Sequence, residues 1–215
     1  MTFTTEDLAR MTAEVREVNT ALGWRAEDKT FGDFTALLHS EVSEMLKDYR
    51  VHRLADATKP AEPIYRDEEV PKIRTSDVYT TGRVLVGHRP AKPEGVGSEA
   101  ADVLIRLLDQ ADVSGHVLDP SCPRFDVLSP IWRAARTFGD YCAFLHHCID
   151  DANVQYYAIE SARGTARGLE IVLEALTAVC EKYGIDLAAE YTRKIAYNRT
   201  RPFQHGGTVT DAVTA

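Results

Sequence analysis

No apolar stretch in this chain approaches the length needed to cross a bilayer, so no membrane-spanning helix and no membrane partner are predicted. The opening segment, MTFTTEDLARMTAEVREVNTALGW, has neither the basic nor the apolar region of a signal peptide. It reads instead as an acidic amphipathic helix, and a cytoplasmic location is the expectation. Cysteine is scarce: Cys122, Cys142, Cys148 and Cys180 form no C-x-x-C pair, a pattern of reduced buried thiols rather than a disulfide framework. A basic excess is missing as well. With 25 Lys and Arg against 33 Asp and Glu the net charge is −8, which argues against a nucleic-acid partner. It does not argue against a nucleotide enzyme that recruits its own metal.

What is present is helical periodicity. Residues 5–22 place Leu8, Met11, Val15, Val18 and Leu22 along one side. Further helices are predicted at 31–50, 96–114, near 126–136, and at 138–160, 163–183 and 186–200. A chain of 215 residues, 44% apolar, can bury one good core, so the expectation is an all-α helical bundle forming a single domain over 1–203. Residues 204–215 read as a flexible tail. The stretch 51–95 holds five of the nine prolines and reads as an inserted loop, a linker or a lid. Within it, Asp77 to Val86 suggests a hairpin turning near Gly82.

The chain also repeats itself. Thr30-Phe-Gly-Asp-Phe-Thr-Ala-Leu-Leu-His39 recurs as Thr137-Phe-Gly-Asp-Tyr-Cys-Ala-Phe-Leu-His146, with seven of ten positions identical at an offset of 107 residues. Two repeated halves, 1–118 and a degenerate 119–203, follow from this. In that register Glu41 corresponds to Cys148 and Glu44 to Asp151.

Carboxylates carry the chemistry. Glu41-x-x-Glu44 and Glu99-x-x-Asp102 are doublets at helical spacing, each aiming two acids in one direction. On a wheel of about 100° per residue, Glu41 falls inside the apolar arc of Phe34, Leu37, Leu38, Val42, Met45, Leu46 and Tyr49. A carboxylate facing a core is costly unless it is paired or binds metal. Four converging acids suit Mg²⁺, with Mn²⁺ as a second choice, and Mg²⁺ is commonly shared with a phosphate. In helix 96–114, Glu99, Asp102, Arg106 and Asp109 make one polar stripe, which by itself fits a solvated face equally well. Lys194, Asn198 and Arg201 stand on one face of the last helix, as a polyphosphate clamp or as cations at a helix C-terminus. Trp24, Phe31 and Tyr49 can stack a base or belong to the core. His146-His147-Cys148 with Asp150-Asp151 resembles a soft metal site but reads better as the decayed copy of the first doublet.

In these motifs the sequence resembles the MazG-like all-α nucleoside triphosphate pyrophosphohydrolases, related to the all-α dUTPase and dCTPase branch. The matching residues stand in Leu38-His-Ser-Glu41-Val-Ser-Glu44, Gly97-Ser-Glu99-Ala-Ala-Asp102 and Lys194-Ile-Ala-Tyr-Asn198-Arg-Thr-Arg201-Pro202, about a third of the chain. Ser40 replaces the first of the family's two adjacent glutamates, and 51–95 lengthens the gap between the doublets. The resemblance implies conversion of an NTP or dNTP to the monophosphate and pyrophosphate. Glu41, Glu44, Glu99 and Asp102 would hold Mg²⁺, and Glu41 and Glu44 would be catalytic, with Glu44 orienting the attacking water. Lys47, Lys194 and Arg201 would neutralise phosphates, Asn198 would meet a phosphate or the sugar, and Trp24 or Phe31 would meet the base. The resemblance leaves base and sugar open: nucleotide-pool sanitation and phage-type hydrolysis of dGTP, dUTP or dCTP all fit. So does a duplicated chain that stands alone or pairs again as a homodimer. A di-iron protein would want Glu-x-x-His, which neither doublet provides. The alternative reading is a non-catalytic nucleotide-binding sensor or interaction module derived from such an enzyme.

Overall fold

The structure, a computed structural model, describes residues 3–25, 29–55, 57–60, 62–71, 79–89, 91–121, 130–159 and 162–203. The expected tail 204–215, the start of the helix expected near 126–136, and Cys122 lie outside these residues. The fold is all-α with an appended pair of small β ladders. In chain order the elements are α1 (Thr5–Ala21), α2 (Phe31–His52), β1 (Ala57–Lys59), β2 (Glu62–Pro71), β3 (Tyr79–Arg89), β4 (Lys92–Glu94), α3 (Val96–Val113), α4 (Pro130–Ala134), α5 (Phe138–Ile159), α6 (Ala162–Tyr183) and α7 (Leu187–Asn198).

Helix α3 is the central rod. It packs against α1, α2, α6 and α7, and its buried residues include the apolar Val103, Leu104, Leu107 and Leu108 and the polar Glu99, Asp109 and Gln110. The polar stripe of this helix is therefore largely covered, with Glu99 and Asp109 buried and Asp102 and Arg106 half-buried. Among the described residues no helix is long and apolar enough to cross a membrane.

The recurring T-F-G-D is a helix start. The Thr30 hydroxyl accepts from the Asp33 amide at 3.2 Å while Asp33 accepts from the Thr30 amide at 2.8 Å. Thr137 and Asp140 make the same reciprocal pair, at 3.2 and 2.8 Å. Each closes two of the backbone donors that a helix N-terminus leaves open. Because α1 begins with a third such box, Thr4 and Asp7, the cap alone is weak testimony to duplication. Contacts between α2 and α5 say more. Phe31 stacks on Tyr156 with ring centroids 4.0 Å apart, and Tyr49 stacks on Phe138 at 4.3 Å. Phe138 and Tyr156 are the residues 107 positions beyond Phe31 and Tyr49, and His39 meets its own counterpart His146 at 2.7 Å between Nδ1 atoms. The two helices thus run antiparallel, and these contacts exchange under the 107-residue offset.

The 51–95 segment is more ordered in plan than a loop. β1 pairs antiparallel with β4, Ala57 opposite Glu94 and Lys59 opposite Lys92, so the two ends of the insertion meet. Beyond them β2 and β3 pair antiparallel from Glu62–Arg89 to Pro71–Tyr79, with a bulge at Ile64/Tyr65. The expected turn near Gly82 is corrected: Gly82 lies within β3, opposite Glu68, and the connection spans 72–78, outside the described residues. Gly82 misled because a glycine inside a strand and one in a turn look alike in sequence. Joined ends explain how a long insertion leaves the acid doublets adjacent. Asp48 of α2 accepts from the Gly95 amide at 2.9 Å, tying the end of one doublet helix to the start of the other.

Candidate functional site

Glu41 is only 9% exposed, and its burial follows from its place among Leu38, Val42 and Met45 on the inner side of α2. Across from it, α3 presents Glu99 and Asp102. Carboxylate oxygens of Glu41, Glu99 and Asp102 all lie within 4.8 Å of one another, the metal-capable group found among the described residues. The fourth expected ligand, Glu44, is exposed and falls outside this group. It remains close enough that its charge acts on both Glu41 and Glu99.

Cations are already inside the cluster. Lys194 of α7 is 3% exposed, and its ammonium lies 2.8 Å from the Ser98 hydroxyl and 2.5 Å from Asp102 Oδ2. Arg106, one turn after Asp102, donates through Nε to Glu41 Oε1 at 3.1 Å. Arg201 stands over the Trp24 ring, 5.0 Å from guanidinium carbon to centroid, and its charge is felt at Asp102 and Arg106. Even so, the acids are not fully compensated. Burial pushes the Glu99 carboxyl up to about 7; Lys194 opposes the shift, while Asp102, Glu44 and Glu41 add to it. Burial and Asp102 raise Glu41 too, against the pull of Arg106. A hard divalent cation is the charge that all-oxygen donors held this close lack, so the residues fit such an ion.

The remaining predicted residues sort clearly. Asn198 lies one turn beyond Lys194 on the buried side of α7, its Oδ1 without a hydrogen-bond partner. Lys47 is exposed on α2. Phe31, expected to meet the base, is taken up in ring contacts: it is 6% exposed, stacked on Tyr156 and met edge-on by Tyr157. Tyr49 is likewise taken, by Phe138. Trp24 stays half-buried beside Arg201. Neither a family model, nor a curated protein, nor a solved structure matches the chain.

Sequence reasoning missed several residues that shape this region. Arg106 was visible only as part of a stripe, although its i+4 relation to Asp102 was a usable signal. Arg25 on the α1–α2 connection reaches Asp109 and Asp112 of α3, and Arg16 joins Asp112 from α1; these pairs pin the segment that carries Trp24. Asn19 on α1 is 1% exposed with neither amide atom partnered, and Gln110 Oε1 is also unpartnered. The soft-metal reading of residues 146–151 finds no support: His146 is turned to His39, and burial drives the Cys148 thiol up to about 12, leaving it an inert core group.

Proposed function

We propose that this protein is a divalent-metal-dependent nucleoside triphosphate pyrophosphohydrolase, converting a (d)NTP to the monophosphate and pyrophosphate. The observation that carries the reading is the convergence of Glu41, Glu99 and Asp102 from two helices, with Arg106 and Lys194 set directly against them. Acids that gather a metal and cations that receive phosphates are both required for phosphoryl chemistry, and each is rare in a protein core. Glu41, Glu99 and Asp102 would hold Mg²⁺ or Mn²⁺, with Glu44 at the rim. A bound ion supplies Lewis-acid activation of the α-phosphate and of the attacking water. Hydrolysis would add that water to the α-phosphorus and break the α–β anhydride bond, releasing pyrophosphate, with exposed Glu44 orienting the water and taking up its proton. Lys194, Arg106 and Arg201 offer charge to the phosphates. Trp24, half-buried beneath Arg201, is the aromatic ring this reading sets nearest the base, and the Asn19 side-chain amide with the carbonyl oxygens of Gln110 and Asn198 are buried polar atoms without a protein partner that a ligand could meet. The exchanging contacts between α2 and α5 support two halves of common origin, with the acids kept only in the first.

Incubation with Mg²⁺ and each (d)NTP, reading pyrophosphate, is the test. Release from at least one nucleotide, lost in Glu41→Gln, is expected. A second reading, a non-catalytic nucleotide-binding module, is favoured by one feature: Lys194 and Arg106 already pair two of the acids without any ion. Nucleotide binding without turnover, indifferent to Glu41→Gln, would establish that module instead.

A further inference from the structure

Two of the three closest acids are paired with protein cations, and one of these cations is buried. Lys194 is held between Asp102 and Ser98 at 3% exposure, while Arg106 occupies an oxygen of Glu41. A divalent ion arriving alone would meet an ammonium and a guanidinium on the oxygens it needs, in a region where water screens charge poorly. A polyphosphate arriving alone would meet Glu41, Glu44, Glu99 and Asp102. If both arrive, every pairing is conserved: Lys194 and Arg106 turn from carboxylate to phosphate oxygens, and the carboxylates are released to the metal. Lys194 can make that exchange because an ammonium on a four-carbon stem has no fixed fork geometry. We propose that Lys194 acts in the empty site as a stand-in cation which excludes a divalent metal arriving on its own, so that metal and polyphosphate enter only together.

This inference deepens the hydrolase reading and rests on the same carboxylates, but it concerns binding and is read without turnover. The full chain is titrated calorimetrically at pH 8.5, where protons compete little, with Mn²⁺ alone, with tripolyphosphate alone in EDTA, and with the preformed Mn²⁺–tripolyphosphate complex. The complex should bind at least about 30-fold more tightly than either component. Lys194→Met should invert the usual consequence of damaging a site: it should bind Mn²⁺ alone at least about tenfold more tightly than the parent, and the advantage of the complex should shrink. Arg106→Met, at a more exposed position, should shift Mn²⁺ binding in the same direction and covers the case in which Lys194→Met does not fold by circular dichroism. Mn²⁺ binding to the parent as tightly as the complex overturns the proposal, as does a folded variant that binds Mn²⁺ no better. Absence of (d)NTP hydrolysis together with strong coupling would end the hydrolase reading alone. Hydrolysis together with tight binding of Mn²⁺ by itself would end this one alone.

Discussion

Helices α2 and α5 begin with the same capping box and bury the same side, yet at equivalent depth one carries Glu41 and the other Cys148, 9% and 4% exposed. Burial alone therefore does not separate a position that carries an acid from one that carries an ordinary core residue. The neighbour does. α2 lies on α3, which supplies Glu99, Asp102 and Arg106. α5 lies on α6, whose buried side chains among the described residues include Leu169, Val172, Leu173, Ala175, Leu176, Val179 and Cys180, with Thr165 as the polar one. An acid is tolerable at the first place because another helix brings charge to meet it, whereas the second lies against a mostly apolar set of α6 side chains and carries a buried thiol.

The strongest way to break this comparison is through activity. Glu41→Gln and Glu99→Gln should each lower pyrophosphate release by at least about 10²-fold, while Cys148→Ala leaves it near the parent value, measured at saturating Mg²⁺. Equal losses at positions 41 and 148 would erase the distinction between the halves. Next in size, Cys148→Glu should cost about 3–5 kcal/mol in urea unfolding, since it would bury a carboxylate against the apolar side chains Leu169, Val172, Leu173 and Leu176 of α6.

A pH series sharpens the same point. Glu99 is held protonated up to about 7 in the metal-free fold, above its ordinary value of 4.5. The native state therefore binds the extra proton, and this contribution is complete below about pH 4.5 and lost as pH rises through 7. About 3 kcal/mol is the ceiling of that loss. Thermal midpoints of metal-free protein should fall across this window more steeply than those of Glu99→Gln. Finally, Thr30→Ala and Thr137→Ala should each cost about 1 kcal/mol, the same in both halves because the caps are the same. A large inequality in denaturant midpoints would mean that the two helices are not held alike.

Much of this was legible in the residues. Periodicity located six of the helices to within a few positions, since an apolar stripe that must reach a core leaves a regular trace. Glu41 stood out because it interrupted such a stripe. What failed to show was whatever depends on a partner remote in sequence. Phe31 could be read either as core or as a ring for a base, and Tyr156, which stacks on it, stands more than a hundred positions away. Lys194 looked like a cation waiting for substrate, yet it is seated on Asp102. Asp109 looked solvated until Arg25 reached it from the α1–α2 connection. Spacing along one helix says which side chains share a face and says nothing of what that face will touch.

The stacks between α2 and α5 have one more use. Phe31 with Tyr156 and Phe138 with Tyr49 are two editions of a single contact inside one molecule, at 4.0 and 4.3 Å. They share ring types, helix positions and crossing direction. The molecule thus contains its own reference measurement: whatever a double-mutant cycle finds to differ between the two editions belongs to their surroundings rather than to the rings.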